Sequence, residues 1–222
     1  MRLVKLFEAE PLQTHLEKTY YHGTPSEEAF NEIIKHGLKP GDITLVKDVS
    51  KSKENLNPVK GHVYITSDIG YAQIYAIGGD YAGSTSIKPE RKYGYVFVID
   101  GAELKDIQPD EDEVGELIWK VATKETHDPL INVKYIPLLS KKLTDRQFKK
   151  FMDGEYVMWA HLGKKLLQDM PDSDKIHFIN LASNIAHRGN LNFKEAWRID
   201  LEKIPELKRD GSNFFKLAER VK

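Results

Sequence analysis

Two short stretches constrain this chain more than anything else in it. The first is Tyr20-Tyr21-His22-Gly23-Thr24; the second is Val63-Tyr64-Ile65-Thr66, with Ala72 and Tyr75 downstream. Both are aromatic and alternate weakly, which suits β-strands. Each runs into a helix-opening cluster. After the first, Thr24 is expected as N-cap, with Pro25 at the first helical position and Glu27 completing a capping box. Ala29, Phe30, Ile33 and Ile34 then recur at helical spacing, Gly37 ends the helix, and Pro40 prevents its resumption. After the second stretch, Thr66-Ser67-Asp68 offers another cap before a short helix that should turn Ile69, Ala72, Tyr75 and Ala76 inward. The result is one histidine and two tyrosines at the ends of neighbouring elements.

The remaining organisation is α+β. Residues 1–17 read as a lead-in arm. Residues 40–60 are polar and lysine-bearing, a long surface loop of the kind that serves as a binding loop or lid. Residues 78–92 form a second, Gly/Ser-rich loop. Tyr93 to Asp100 holds the near-continuous apolar run Tyr95-Val96-Phe97-Val98-Ile99, a strand expected inside a sheet. Pro109-Asp110-Glu111-Asp112-Glu113 then abuts an apolar pattern, as a helix start favoured by the macrodipole would. From about 141 to 186 the pattern is mostly helical. It places Phe148, Phe151 and Met152 on one helix and Trp159, Leu162, Leu166 and Leu167 on a second. Ile176, Ile179, Asn180, Ser183 and Ile185 fit a third less cleanly. Gly189 breaks that run, and Ala196 to Leu201 reads as a last strand. The whole is expected to be a single domain over 1–222, with a helical insertion or appendage at about 141–186.

Composition narrows the function classes. The 222 residues are 40% hydrophobic, enough for a sizeable core. The formal charge of -1 gives no global basicity that would point to nucleic acid. Without cysteine there is no disulfide framework and no thiolate metal site. His15, His36, His62 and His127 show no metal-ligand spacing, and His161 and His177 read as structural or exposed. The N-terminus lacks a long apolar stretch, and no apolar run approaches a membrane span, so a soluble cytoplasmic protein is expected.

The two motifs have a chemical use in common. A glycine at a strand end allows close approach to the backbone, whose N–H and C=O can grip a carboxamide. The His22 imidazole can hydrogen-bond a ribose hydroxyl, and Thr24 can do the same or merely cap the helix. Tyr64 and Tyr75 supply π-faces, on which a cationic heteroaromatic ring gains stacking and cation–π energy.

At these residues the chain resembles the ADP-ribosyltransferase fold family, in its His-Tyr-Glu branch of poly-ADP-ribose polymerases and diphtheria-like toxins. Tyr21-His22-Gly23-Thr24, the helix ending at Gly37-Leu38, Val63-Tyr64-Ile65-Thr66, Ala72, Tyr75-Ala76 and the strand Gly94-Tyr95-Val96-Phe97-Val98 carry the likeness, over roughly 18–100. The resemblance implies a split β-sheet core and an enzyme that uses NAD as substrate. Such an enzyme cleaves the nicotinamide–ribose bond and passes ADP-ribose to a protein or nucleic-acid acceptor, with no metal and no membrane. It implies that His22 orients the ribose, that Gly23 grips the carboxamide, and that Tyr64 and Tyr75 sandwich the ring. Thr24 and Ser67 would be secondary contacts.

The family's third residue is a glutamate near the start of a late strand, where it stabilises positive charge developing on the ribose. Glu113, with Glu111 beside it in the acidic segment, is one match; Glu195, just before the last strand, is another. Related RNA 2′-phosphotransferases, which also consume NAD, use basic residues instead, and His187-Arg188-Gly189 offers that alternative. The bland readings are a solvated helix start for Glu111 and Glu113, and a helix C-terminal cationic pair for His187 and Arg188. A catalytically silent NAD- or ADP-ribose-binding module is the remaining reading.

Overall fold

The structure, a computed structural model, describes residues 18–40, 61–78 and 91–222. The expected N-terminal arm, the 40–60 loop apart from its first residue, and most of the 78–92 loop lie outside the described residues. The chain divides into two compact units, one containing Gln108–Ala182 and the other containing Gly61–Ile107 and Ser183–Lys222 together with 18–40. No helix of the described residues is long and apolar enough to cross a membrane.

The unit containing 18–40 is built on a sheet. Its elements are β1 (Thr19–Thr24), α1 (Glu27–His36), β2 (His62–Thr66), α2 (Ile69–Ile77) and β3 (Tyr93–Asp100). The strand β4 (Ile107–Pro109) leads out towards the helical residues. The strands β5 (Asn184–Arg188) and β6 (Glu195–Asp200), then later β7 (Glu219–Arg220), complete a seven-stranded order β4-β5-β2-β1-β3-β6-β7. The run Tyr95 to Ile99 is buried on both faces, as an interior strand must be.

The pairing is uneven. β1 and β3 register over six residue pairs, from Thr19↔Asp100 to Thr24↔Tyr95, and β2 and β5 over five. Between β1 and β2 the register is a single pair, Tyr21↔Thr66. The sheet therefore divides along that line. Ala72, Ala76, Val96, Ile199 and Phe214 form the core on the face that α2 covers, while Phe30 of α1 stacks on Tyr95 with centroids 4.2 Å apart on the other face.

Two local expectations change. The N-cap of α1 is Ser26, whose side chain accepts from Ala29 N–H, while Thr24 Oγ1 accepts from Ser26 N–H one step earlier. Both residues can cap; Ser26 wins because the helix starts after Pro25 rather than on it. The third helix expected to reach Ile185 stops at Leu181, and the residues from Asn184 are β5. His187 and Arg188 thus sit on a strand and not at a helix end.

The helical unit, taken by itself, holds α3 (Glu111–Ala122), α4 (Leu139–Lys142), α5 (Asp145–Met152), α6 (Tyr156–Leu167) and α7 (Asp172–Leu181). A π-helical turn, Ile131–Tyr135, lies between α3 and α4. Val114, Ile118, Leu162, Leu166 and Phe178 are among its core residues, and truncating one of these would cost about 2–5 kcal/mol. α3 and α6 touch backbone to backbone at Gly163, where a Cβ would fall 1.8 Å from the Glu111 carbonyl oxygen. Only glycine permits that approach. Tyr135 donates to the buried Asp174 carboxylate, which Lys134 also pairs at 2.5 Å; burial is the largest single effect on its pKa and raises it, but the partners together hold it below the usual carboxylate value.

Candidate functional site

Strand alternation decides where the β1 side chains go. Tyr20, His22 and Thr24 share one face; Tyr21 and Gly23 share the other. The α2 helix crosses at Gly23, where a Cβ would lie 2.0 Å from the Ala72 carbonyl oxygen and 2.9 Å from Ala76 N. The glycine therefore has a reason other than the expected one. Its missing side chain makes room for a helix backbone, so only its strand edge is left for a ligand.

Because Tyr21 faces Thr66, alternation along β2 puts Tyr64 on the same face as Tyr21 and Gly23. The α2 helix on that face carries Tyr75. Gly23, Tyr64 and the helix bearing Tyr75 are thus brought together on one side of the sheet. Tyr75 itself is 45% exposed, where the apolar spacing places it inward. Ala72 and Ala76 do turn inward as expected, where only small side chains fit the close crossing at Gly23.

His22 alternates to the opposite face but lies at the dividing line. Its Nδ1 is 3.0 Å from the Tyr64 carbonyl oxygen. A carbonyl can only accept, so Nδ1 carries the proton and Nε2 keeps its lone pair. The ring is enclosed enough that desolvation lowers its pKa, with the hydrogen bond to Tyr64 opposing. His22 is thus held as the neutral Nδ1–H tautomer, whose Nε2 is the ring's acceptor.

The secondary positions have structural partners. Ser67 Oγ donates to the Ser183 carbonyl at 3.3 Å, and Ser67 N–H donates to the same oxygen at 2.8 Å, tying the end of β2 to the start of β5. Thr24 is buried and turns the chain into α1.

The carboxylates fall elsewhere. In the sheet, His22 faces Phe97, which faces Ala196; Glu195 is opposite Val98, in the row of Tyr21. Glu195 is therefore two strands from β1 and on the other face from His22. It accepts from Trp197 Nε1 at 2.9 Å and pairs with Arg220 at 3.4 Å. Glu111 and Glu113 occupy the first turn of α3 in the helical unit, with Asp110 as N-cap accepting from Asp112 N–H. Burial, reinforced by the neighbouring acids, raises Asp110 well above the ordinary carboxylate range and pushes Asp112 up to about 7. Tyr156 donates to Asp112. Among the described residues no group of three or more His, Asp or Glu side chains is arranged to hold a metal ion.

The residues that the sequence does not single out come from strand pairing. The strand facing β2 opens with Asn184, opposite Thr66, so an amide stands at the head of β5. Further along, Ala186 faces Tyr64 and the exposed Arg188 faces His62, both on the Tyr64 face. His187, opposite Val63, is buried, its pKa is lowered chiefly by desolvation, and among the described residues its Nδ1 has no hydrogen-bond partner. Register of this kind leaves no mark in the order of residues, so no local signal could have assigned Asn184 its place.

Comparison with family models, with curated proteins and with solved structures found no match.

Proposed function

We propose that the sheet unit binds NAD where β1 and β2 part, and that the chain cleaves the nicotinamide–ribose bond and transfers ADP-ribose to a macromolecular acceptor. The observation that carries this reading is the His22–Tyr64 hydrogen bond across the division of the sheet, with Gly23, Tyr64 and the Tyr75-bearing helix on one adjoining face. The split sheet is also what the resemblance implies for the fold.

The chemistry is a substitution at the ribose C1′. Its bond to the nicotinamide nitrogen breaks, the electron pair stays with the ring, and neutral nicotinamide departs. The acceptor atom forms the new bond at C1′ and loses its proton to solvent. In this scheme Tyr64 and Tyr75 hold the cationic ring, and His22, through the Nε2 lone pair, accepts from a ribose hydroxyl and fixes the sugar.

A second reading has its own support. Arg188 and His62 face each other on the Tyr64 side. A basic pair there suits a phosphate on the acceptor, as in an RNA 2′-phosphotransferase that consumes NAD. Incubation with NAD labelled in the nicotinamide ring decides between them. Release supported by protein or unphosphorylated nucleic acid favours the first reading; release that requires RNA bearing a 2′-phosphate, with loss of that phosphate, favours the second. Binding without release under either condition reduces the chain to an NAD-binding module.

A further inference from the structure

The sheet unit holds a cavity of about 440 Å³ on the Tyr21 face, at the end of the strands marked by Thr19 and Asp100, which uses none of His22, Gly23, Tyr64 or Tyr75. Its volume is within the range of small-molecule sites. One side is aromatic. Tyr21 and Phe215 have centroids 6.1 Å apart, and Trp197 meets Phe215 edge-on at 4.9 Å.

The charges at its border are of two kinds. The acidic ones are engaged: Glu195 accepts from Trp197 and pairs with Arg220, and Asp100 accepts from Ala102 N–H at 3.0 Å. The basic ones are Lys18 and Lys194, and among the described residues neither ammonium has an ion-pair or side-chain hydrogen-bond partner. Asp100 keeps its charge, so with Arg220 beside Glu195 the cations Lys18, Lys194 and Arg220 stand against the carboxylates Glu195 and Asp100, a surplus of one positive charge beside the aromatic side. A ligand complementary to that combination carries a flat ring and an anionic group on the same small body.

We propose that this cavity binds a planar aromatic anion, its ring against Tyr21 and Phe215 and its phosphate or carboxylate met by Lys18 and Lys194. Nucleoside monophosphates and aromatic carboxylates share this chemistry. The site is separate from the proposed NAD site, so each can stand or fall without the other.

Calorimetric titration of the full chain with adenosine 5′-monophosphate, adenosine and indole-3-carboxylate tests it. At least one of the two anions should bind, and adenosine should bind about tenfold more weakly than its monophosphate if the nucleotide is the ligand. The winning anion identifies the source. The double variant Lys18→Ala/Lys194→Ala, whose thermal melting should match the parent, should lose about tenfold for that anion, and Tyr64→Ala should leave it unchanged. Failure of both anions to bind overturns the proposal, as does equal binding to the parent and the lysine variant.

Discussion

The Nδ1–H of His22 donates to the backbone carbonyl of Tyr64, 3.0 Å away, and so joins β1 to β2 beyond their one register pair at Tyr21 and Thr66. The Nδ1–H can donate in either protonation state and the bond opposes the shift, so it is burial that lowers the pKa and disfavours the charged ring. In the unfolded chain His22 takes up a proton near the usual value of about 6.5.

The sheet unit should therefore lose stability in acid. A histidine with a depressed folded pKa contributes its full stabilisation above about 6.5, and that contribution is lost as pH falls from there towards the folded pKa. The buried His187 acts in the same direction. Amide hydrogen exchange in β1, β2 and β5 should be faster at pH 5 than at pH 7.5, after correction for intrinsic rates. His22→Gln should flatten the trend in β1. Exchange that slows in acid would contradict this assignment.

The helical unit should respond with the opposite sign. Asp112 is pushed up to about 7, from an ordinary value of 3.8, by burial first and then by the Glu111 charge. A carboxyl with a raised folded pKa contributes its full stabilisation below the unfolded value and loses it as pH rises through about 7, with a slope of at most about 1.4 kcal/mol per pH unit for one group. Exchange in α3 and α6 should thus quicken between pH 5 and pH 8. Asp112→Asn should remove part of that slope and slow exchange at pH 8.

Gly23→Ala should destabilise the sheet unit whether or not NAD is present. The added methyl would meet the Ala72 carbonyl oxygen at 2.0 Å, and helix backbone cannot swing aside as a flexible side chain can. Overpacking costs about 1–3 kcal/mol, and a clash with backbone falls at the upper end. A urea titration of the purified variant should show a lower midpoint. An unchanged midpoint would mean that α2 does not rest on Gly23.

What the sequence made legible follows from which forces are local. His62 to Thr66, Tyr93 to Asp100 and the strand near Ala196 were readable because β-branched and aromatic residues cluster there between breakers. The helix opening at Glu111 was readable because acids gather at its start. The strand β5 was not, since Ile185 and Ala186 continue the apolar spacing of α7, and a short buried strand has no alternation to betray it. Tyr75 was placed inward because its apolar body fits the helical spacing. Only the tertiary fact of the crossing at Gly23 shows that the alanines take that side and Tyr75 does not. The same holds for the carboxylates. Glu195 looks adjacent to a strand in sequence, yet one residue of register puts it on the face away from His22.

Titration of NAD into the intact chain and into Tyr64→Ala and Tyr75→Ala, followed by calorimetry, tests the central claim most directly. A base or nicotinamide ring stacked on an aromatic side chain is worth roughly 1–3 kcal/mol, so each substitution should weaken binding by about 5- to 150-fold while leaving thermal melting nearly unchanged. Absence of binding to the intact chain, or binding that both alanine variants retain in full, would contradict the account.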